Sequence, residues 1–294
     1  MATISRKNGF TLLELLIVIG ICSLLAGLTF QAVQFARESS NRLACLNQIR
    51  QIALGSHNYM AAYQTLPPGT SYNGGGSPFP FMSFGLRLLP FLDNETLWNQ
   101  AISSYSQEKD FLLNPPHSGA RTRIPLFLCP LEKRSFSNDL ELGNGFGLTS
   151  YLGVSGAASR SNWDGVLYLD SKIKTSDILD GTSNTLLVGE RPPSANRDLG
   201  WWYGGWGQNR DGSGDSTLSV REKNYYPIAF NCPKGPFSYT IGKIDDQCSA
   251  FHFWSLHSGG ANFAFCDGSA RFLPYSADNL IPVMATRSGI NEQN

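Results

Sequence analysis

From Leu15 to Ala36 the chain runs 22 residues without a charge. About 20 apolar residues in a helix span a bilayer core, and a helix satisfies its own backbone hydrogen bonds there. Arg6 and Lys7 are the charges ahead of the apolar stretch that begins at Phe10 and no acid precedes that stretch, so the positive-inside rule keeps the short N-terminus cytoplasmic and exports the chain beyond the run. A secretory signal has a shorter core, about 7–15 residues, and closes on a small-residue cleavage site. Here the segment instead continues into "FQAVQFARESSNRLACLNQIRQIALGSHNYMAAY" with no turn signal. One carboxylate, Glu14, stands near the head of this apolar stretch. An ionisable group inside a span costs at least about 2.5–3.5 kcal/mol and as a rule has a partner. No basic residue lies at helical spacing from Glu14 within the span, so its partner is another chain, a chain terminus or a proton. A cut between Gly9 and Phe10 would supply a free α-amino group.

The stretch "KNGFTLLELLIVI" resembles the leader of type IV prepilins and type II secretion pseudopilins. Their pattern is a short basic leader ending in Gly, then Phe, Thr, Leu, two residues later a Glu, and an apolar helix. Gly9, Phe10, Thr11, Leu12 and Glu14 match it position for position. The resemblance implies that a prepilin peptidase removes residues 1–9 and N-methylates Phe10. It also implies that Glu14 pairs with the Phe10 amine of a neighbouring pilin-like subunit during filament assembly. The protein is then expected in the bacterial inner membrane as a single-pass chain, N-terminus cytoplasmic, with its C-terminal domain periplasmic or extracellular.

Beyond Ala36 the pattern turns amphipathic. Leu43, Leu46, Ile49 and Ala53 recur at three and four, with Arg37, Asn41, Gln48 and Gln51 between them. Helix breakers wait until "LPPG" at Leu66 to Gly69. One helix from Phe10 to about Tyr63 would be about 80 Å long. Its second half needs a partner, and a sheet built from the rest of the chain is the natural one. The expected fold is α+β and pilin-like. Residues 1–9 form the leader, 10–64 the helix, membrane-spanning to about 36, and 65–294 an exported β-rich domain.

Composition agrees with that domain. Glycine is abundant at 30 residues and charged residues are scarce at 16%, which suits turn-rich, aromatic strands. With 23 basic and 23 acidic residues there is no basic stripe for a nucleic acid, so no such partner is expected. Strands or hairpins are predicted at "IPLFLCP", "TSYLGVSGA", "DGVLYL", "NTLLVGE" and "ANFAFCDGSARFL". Helices are predicted at "FPFMSFGLRLLPFL" and "NETLWNQAISSY", the latter with Asn94 as N-cap, and loops at "RPPSANRD" and "GQNRDGSGDS".

Several exported residues could carry chemistry. Asp180-Gly181 marks a turn before the buried run ending at Glu190, which could be a ligand or an ion-pair partner. His257 and Asp267-Gly268 bracket a hairpin, and two candidate ligands are too few for a structural zinc site. "NRDGSGD" sets Asn209, Asp211, Ser213 and Asp215 at alternate positions, as in a calcium loop. The twelfth position is Val220 rather than Glu, so a polar loop is the better reading and no metal or other cofactor is assigned. "WWYGGWG" gathers Trp201, Trp202 and Trp206, either packed on the long helix or exposed as a sugar- or protein-binding platform. No G-x-S-x-G elbow, H-E-x-x-H or P-loop occurs, so the chain does not read as an enzyme.

The H-x9-DG spacing of His257, Asp267 and Gly268 is also similar to a domain-of-unknown-function family whose members carry a prepilin leader. Cys45-Leu46-Asn47, "HNY" at His57, "LPPG", "FLCP" at Phe127, "DGTSNT" at Asp180 and Glu190 extend the likeness through most of the chain. It implies a Cys45–Cys129 disulfide, with Cys232–Cys248 as a second pairing. Together these resemblances imply a structural filament subunit. The competing role is a membrane-tethered binding domain for glycan or protein that uses the prepilin route without polymerising.

Overall fold

The computed structural model describes residues 12–72, 74, 76–134, 145–158 and 163–289. Gly9 and Phe10 lie outside them. The chain divides into two compact units, one to Leu43 and one from Ala44 onward.

The first unit is the N-terminal part of helix α1, Leu12–Tyr63, which is 52 residues long. Its apolar window has a mean hydropathy of 2.4 and is unburied, long and oily enough to cross a membrane. Glu14 lies in its first turn.

In the second unit the character of α1 changes. Cys45, Ile49, Ile52, Ala53 and Ser56 are buried along one face. Leu43, expected on that face, is exposed, and Leu46 is half-buried, because the stripe is centred on the 45, 49, 52 and 56 positions. The helix ends where Gln64 turns to a left-handed φ of 63° while its N–H still reaches the Met60 carbonyl, and Pro67 and Pro68 forbid a restart.

Among the described residues, five strands form one mixed sheet in the order β3-β1-β2-β4-β5. They are β1 (Tyr151–Ala158), β2 (Leu186–Glu190), β3 (Thr217–Arg221), β4 (Gly260–Phe265) and β5 (Ala270–Pro274). Only the β1–β3 pair is parallel among these neighbours. Both faces of the sheet are covered. Tyr151, Val188 and Ala264 join the cluster that holds Ile49, Ile52 and Ala53 of α1. Leu152, Val154, Leu218, Phe263 and Phe265 pack into a second cluster with Ile281 and Ala285. Two-sided burial explains why β2 reads as a continuous apolar run rather than an alternating one.

Several expectations are corrected. "IPLFLCP" forms a 3-10 turn at Pro125–Phe127, where Pro125 occupies its start, and not a strand. "DGVLYL" is irregular and only Leu169 makes an isolated bridge, to Thr70. Strand β3 was not predicted, and Val220, weighed as a calcium-loop position, is a core residue of it. The helix over "NETLWNQAISSY" spans Glu95–Gln107, but Asn94 at its N-cap turns its amide to the Leu92 carbonyl instead of capping.

Candidate functional site

Four segments distant in sequence deliver one polar side chain each to the same point. Cys45 comes from the buried face of α1. Cys129 follows the Pro125–Phe127 turn, fixed by its N–H donating to Ser150 Oγ at 3.2 Å. Glu190 is the last residue of β2, paired with Tyr151 of β1. His257 sits in the loop before β4, held by its N–H donating to Ser255 Oγ, whose hydroxyl donates in turn to the Gly260 carbonyl. Their donor atoms all lie within 4.8 Å of one another, and all four residues are buried.

The geometry is specific. Cys45 Sγ and Cys129 Sγ are 2.7 Å apart. His257 Nε2 lies 3.7 Å from Cys129 Sγ and 3.6 Å from Glu190 Oε1. The Glu190 carboxylate accepts from the Asn262 N–H at 2.6 Å and from the Asn262 side-chain amide at 3.2 Å. The Cys45 thiol and His257 bring the Cys129 thiol down to about 6 against the opposing effect of burial. Cys45 is displaced upward, as the thiol that keeps its proton. Burial disfavours a charged His257, but Cys129 and Glu190 outweigh it and raise the imidazole to about 10. This is not a Cys-His-Glu hydrolytic triad. A triad needs the carboxylate on the second ring nitrogen, whereas one atom, Nε2, faces both sulfur and carboxylate.

The sequence singled out Glu190 and His257 separately, and Cys45 and Cys129 as a pair implied by the resemblance. It set His257 beside Asp267, and the structure separates that pair. Asp267 is exposed and accepts from the Ser269 N–H at 2.9 Å, while Gly268 supplies the left-handed φ of 84° the hairpin turn requires. Asp180 holds the segment after the short helix Ile281–Met284, accepting from the Gly289 N–H and the Thr286 hydroxyl, and Gly181 turns with φ 89°. Cys232 and Cys248 form a disulfide. The resemblance pairs Cys45 with Cys129, and in the structure those two thiols are in contact and free. What connects the four is long-range topology, for which the sequence carries no spacing signal.

The calcium-loop candidates serve their own loop. Asp211 accepts from the Ser213 N–H and Asp215 from the Gly207 N–H, and both carboxylates are buried. The Asn209 side chain meets the Tyr226 hydroxyl at 3.4 Å. Of the tryptophans, Trp202 is core, donating to the Thr122 carbonyl. Trp201 stacks on Phe146, and half-buried Trp206 packs on Phe81 with Arg210 over its ring. Trp201 and Trp206 also line a cavity of about 360 Å³ with Gln208, Asp215, Tyr226 and Phe230.

Residues 34–280 match the family described as "Protein of unknown function (DUF1559)". Residues 4–30 match the "Prokaryotic N-terminal methylation motif". No curated protein and no solved structure matches the chain.

Proposed function

The chain belongs to the DUF1559 family of proteins of unknown function and begins with a prokaryotic N-terminal methylation motif, and on that premise we propose that it is a pilin-like structural subunit that assembles into a type IV pilus or type II secretion-like filament. One observation carries the reading. The methylation motif coincides with a 52-residue helix that has Glu14 in its first turn and is apolar enough to cross a membrane. Cleavage after Gly9 exposes the Phe10 amine. Glu14 of one subunit neutralises that amine on the next, so that the two charges meet as an ion pair within the bilayer. Neither matched family description names a catalytic activity, and the proposed work is mechanical.

Replacing Glu14 by Leu tests it. The variant is expected to insert into the membrane as before and to be lost from sheared or purified filaments. Normal incorporation would overturn the assembly role.

A second reading is favoured by one feature, the aromatic cavity at Trp201 and Trp206. Aromatic faces beside carboxylate and amide groups suit carbohydrate. On that reading the domain is tethered and binds glycan without polymerising. Oligosaccharide binding that Trp206→Ala abolishes, in a chain absent from filaments, would favour it.

A further inference from the structure

We propose that Cys45, Cys129, Glu190 and His257 form a closed binding site for one zinc-class divalent metal ion. The inference does not depend on whether the chain polymerises. It starts from four donor side chains that converge from four segments, buried at 0%, 3%, 1% and 3% exposure. Burying a carboxylate, an imidazole and two thiols in one place is costly unless they are compensated. A disulfide between the cysteines would account for two of them. It gives no reason for a buried histidine and a buried glutamate, from two other segments, to face the same sulfurs.

The distances fit a metal better than a triad. Tetrahedral zinc has bonds of about 2.0–2.3 Å, so its ligand atoms stand about 3.3–3.8 Å apart. His257 Nε2 lies 3.7 Å from Cys129 Sγ and 3.6 Å from Glu190 Oε1, both within that range. The sulfurs, at 2.7 Å, would have to part by about 1 Å to flank an ion. The pairing of Nε2 with both neighbours, which rules out the triad, is what a shared ion between them requires. Outer support is present as well. Asn262 donates twice to Glu190 and fixes its carboxylate, as second-layer groups do around metal ligands.

Donor chemistry selects the metal. Two thiolates and an imidazole are borderline-soft ligands that favour zinc and disfavour calcium or magnesium. Four protein ligands with no exposed position make a structural site rather than a catalytic one. Such an ion would tie α1 to β2 and to the loops bearing Cys129 and His257.

The test uses the full-length protein purified in detergent without added metal or chelator. Elemental analysis is expected to find about one zinc per chain. After removal of the metal under reducing conditions, titration with Zn²⁺ alone should restore that stoichiometry. Co²⁺ should give thiolate-to-metal charge-transfer bands with tetrahedral d–d absorption, and His257→Ala should alter or abolish them. Non-reducing peptide mapping of the wild type decides the matter even if the variant fails to fold. Cys45 and Cys129 thiols that resist alkylation while zinc is bound and react once it is removed support the site. A Cys45–Cys129 disulfide-linked peptide, or reduced protein that takes up neither Zn²⁺ nor Co²⁺, overturns it.

Discussion

Asn262 reaches Glu190 twice, through its backbone N–H and its side-chain amide, and an alanine substitution removes the second alone. Asn262→Ala would leave the buried carboxylate with one donor fewer, a loss of about 1–3 kcal/mol. Chemical denaturation of the purified chain would measure it, and an unchanged midpoint would contradict the role given to Asn262. His117 offers a second residue-level test. It is buried, with Nδ1 against the Tyr203 hydroxyl at 2.8 Å and Nε2 against the Glu108 carbonyl at 2.9 Å, and burial lowers its pKa. A histidine held neutral in the fold binds protons more readily when unfolded. Its stabilising effect is therefore complete at neutral pH and is lost as pH falls below about 6.5. The stability advantage of the wild type over His117→Gln should shrink between pH 7 and pH 5. A difference that is constant or grows in acid would contradict this. The Cys232–Cys248 bond closes a short loop with a sequence separation of 16. Replacing both cysteines by serine should cost about 3 kcal/mol, read as a lower denaturation midpoint.

Among the elements, β2 is the most constrained. It lies between β1 and β4, with every residue buried. A Cβ added at Gly189 would stand 2.5 Å from Phe263 and 2.7 Å from Phe253, so both rings would have to move. Gly189→Ala should cost about 1–3 kcal/mol by overpacking, and a variant as stable as the wild type would show that the sheet yields there. This strand was legible in the sequence because its apolar run is bounded by turn residues. The β4–β5 hairpin was legible because Asp267-Gly268 marks its turn. β3 was not. "TLSVR" comes after a Gly- and Asp-rich loop, and its strand character comes from parallel pairing with β1, a contact that local pattern cannot report. "IPLFLCP" misled for the converse reason. Its apolar residues are buried, Phe127 and Leu128 among them, but two prolines remove ladder donors. The candidate site divides the same way. Glu190 and His257 stood out singly and Cys45 with Cys129 as a pair, and only the topology that sets the end of β2 beside α1 and the His257 loop makes them one cluster.

For the whole molecule, the account rests on one processing event. The methylation motif spans residues 4–30 and the family domain takes up residues 34–280, so the two matched segments account for most of the chain. If Gly9 is the cleavage point, Phe10 becomes a methylated terminus and Glu14 the fifth residue, placed to meet a neighbour's amine. Without cleavage that terminus does not exist. Intact and N-terminal peptide mass spectrometry of the protein from its native membrane tests this most directly. The account predicts a mature chain beginning at N-methylated Phe10. A chain that retains Met1 to Gly9 in cells with active prepilin peptidase would contradict it.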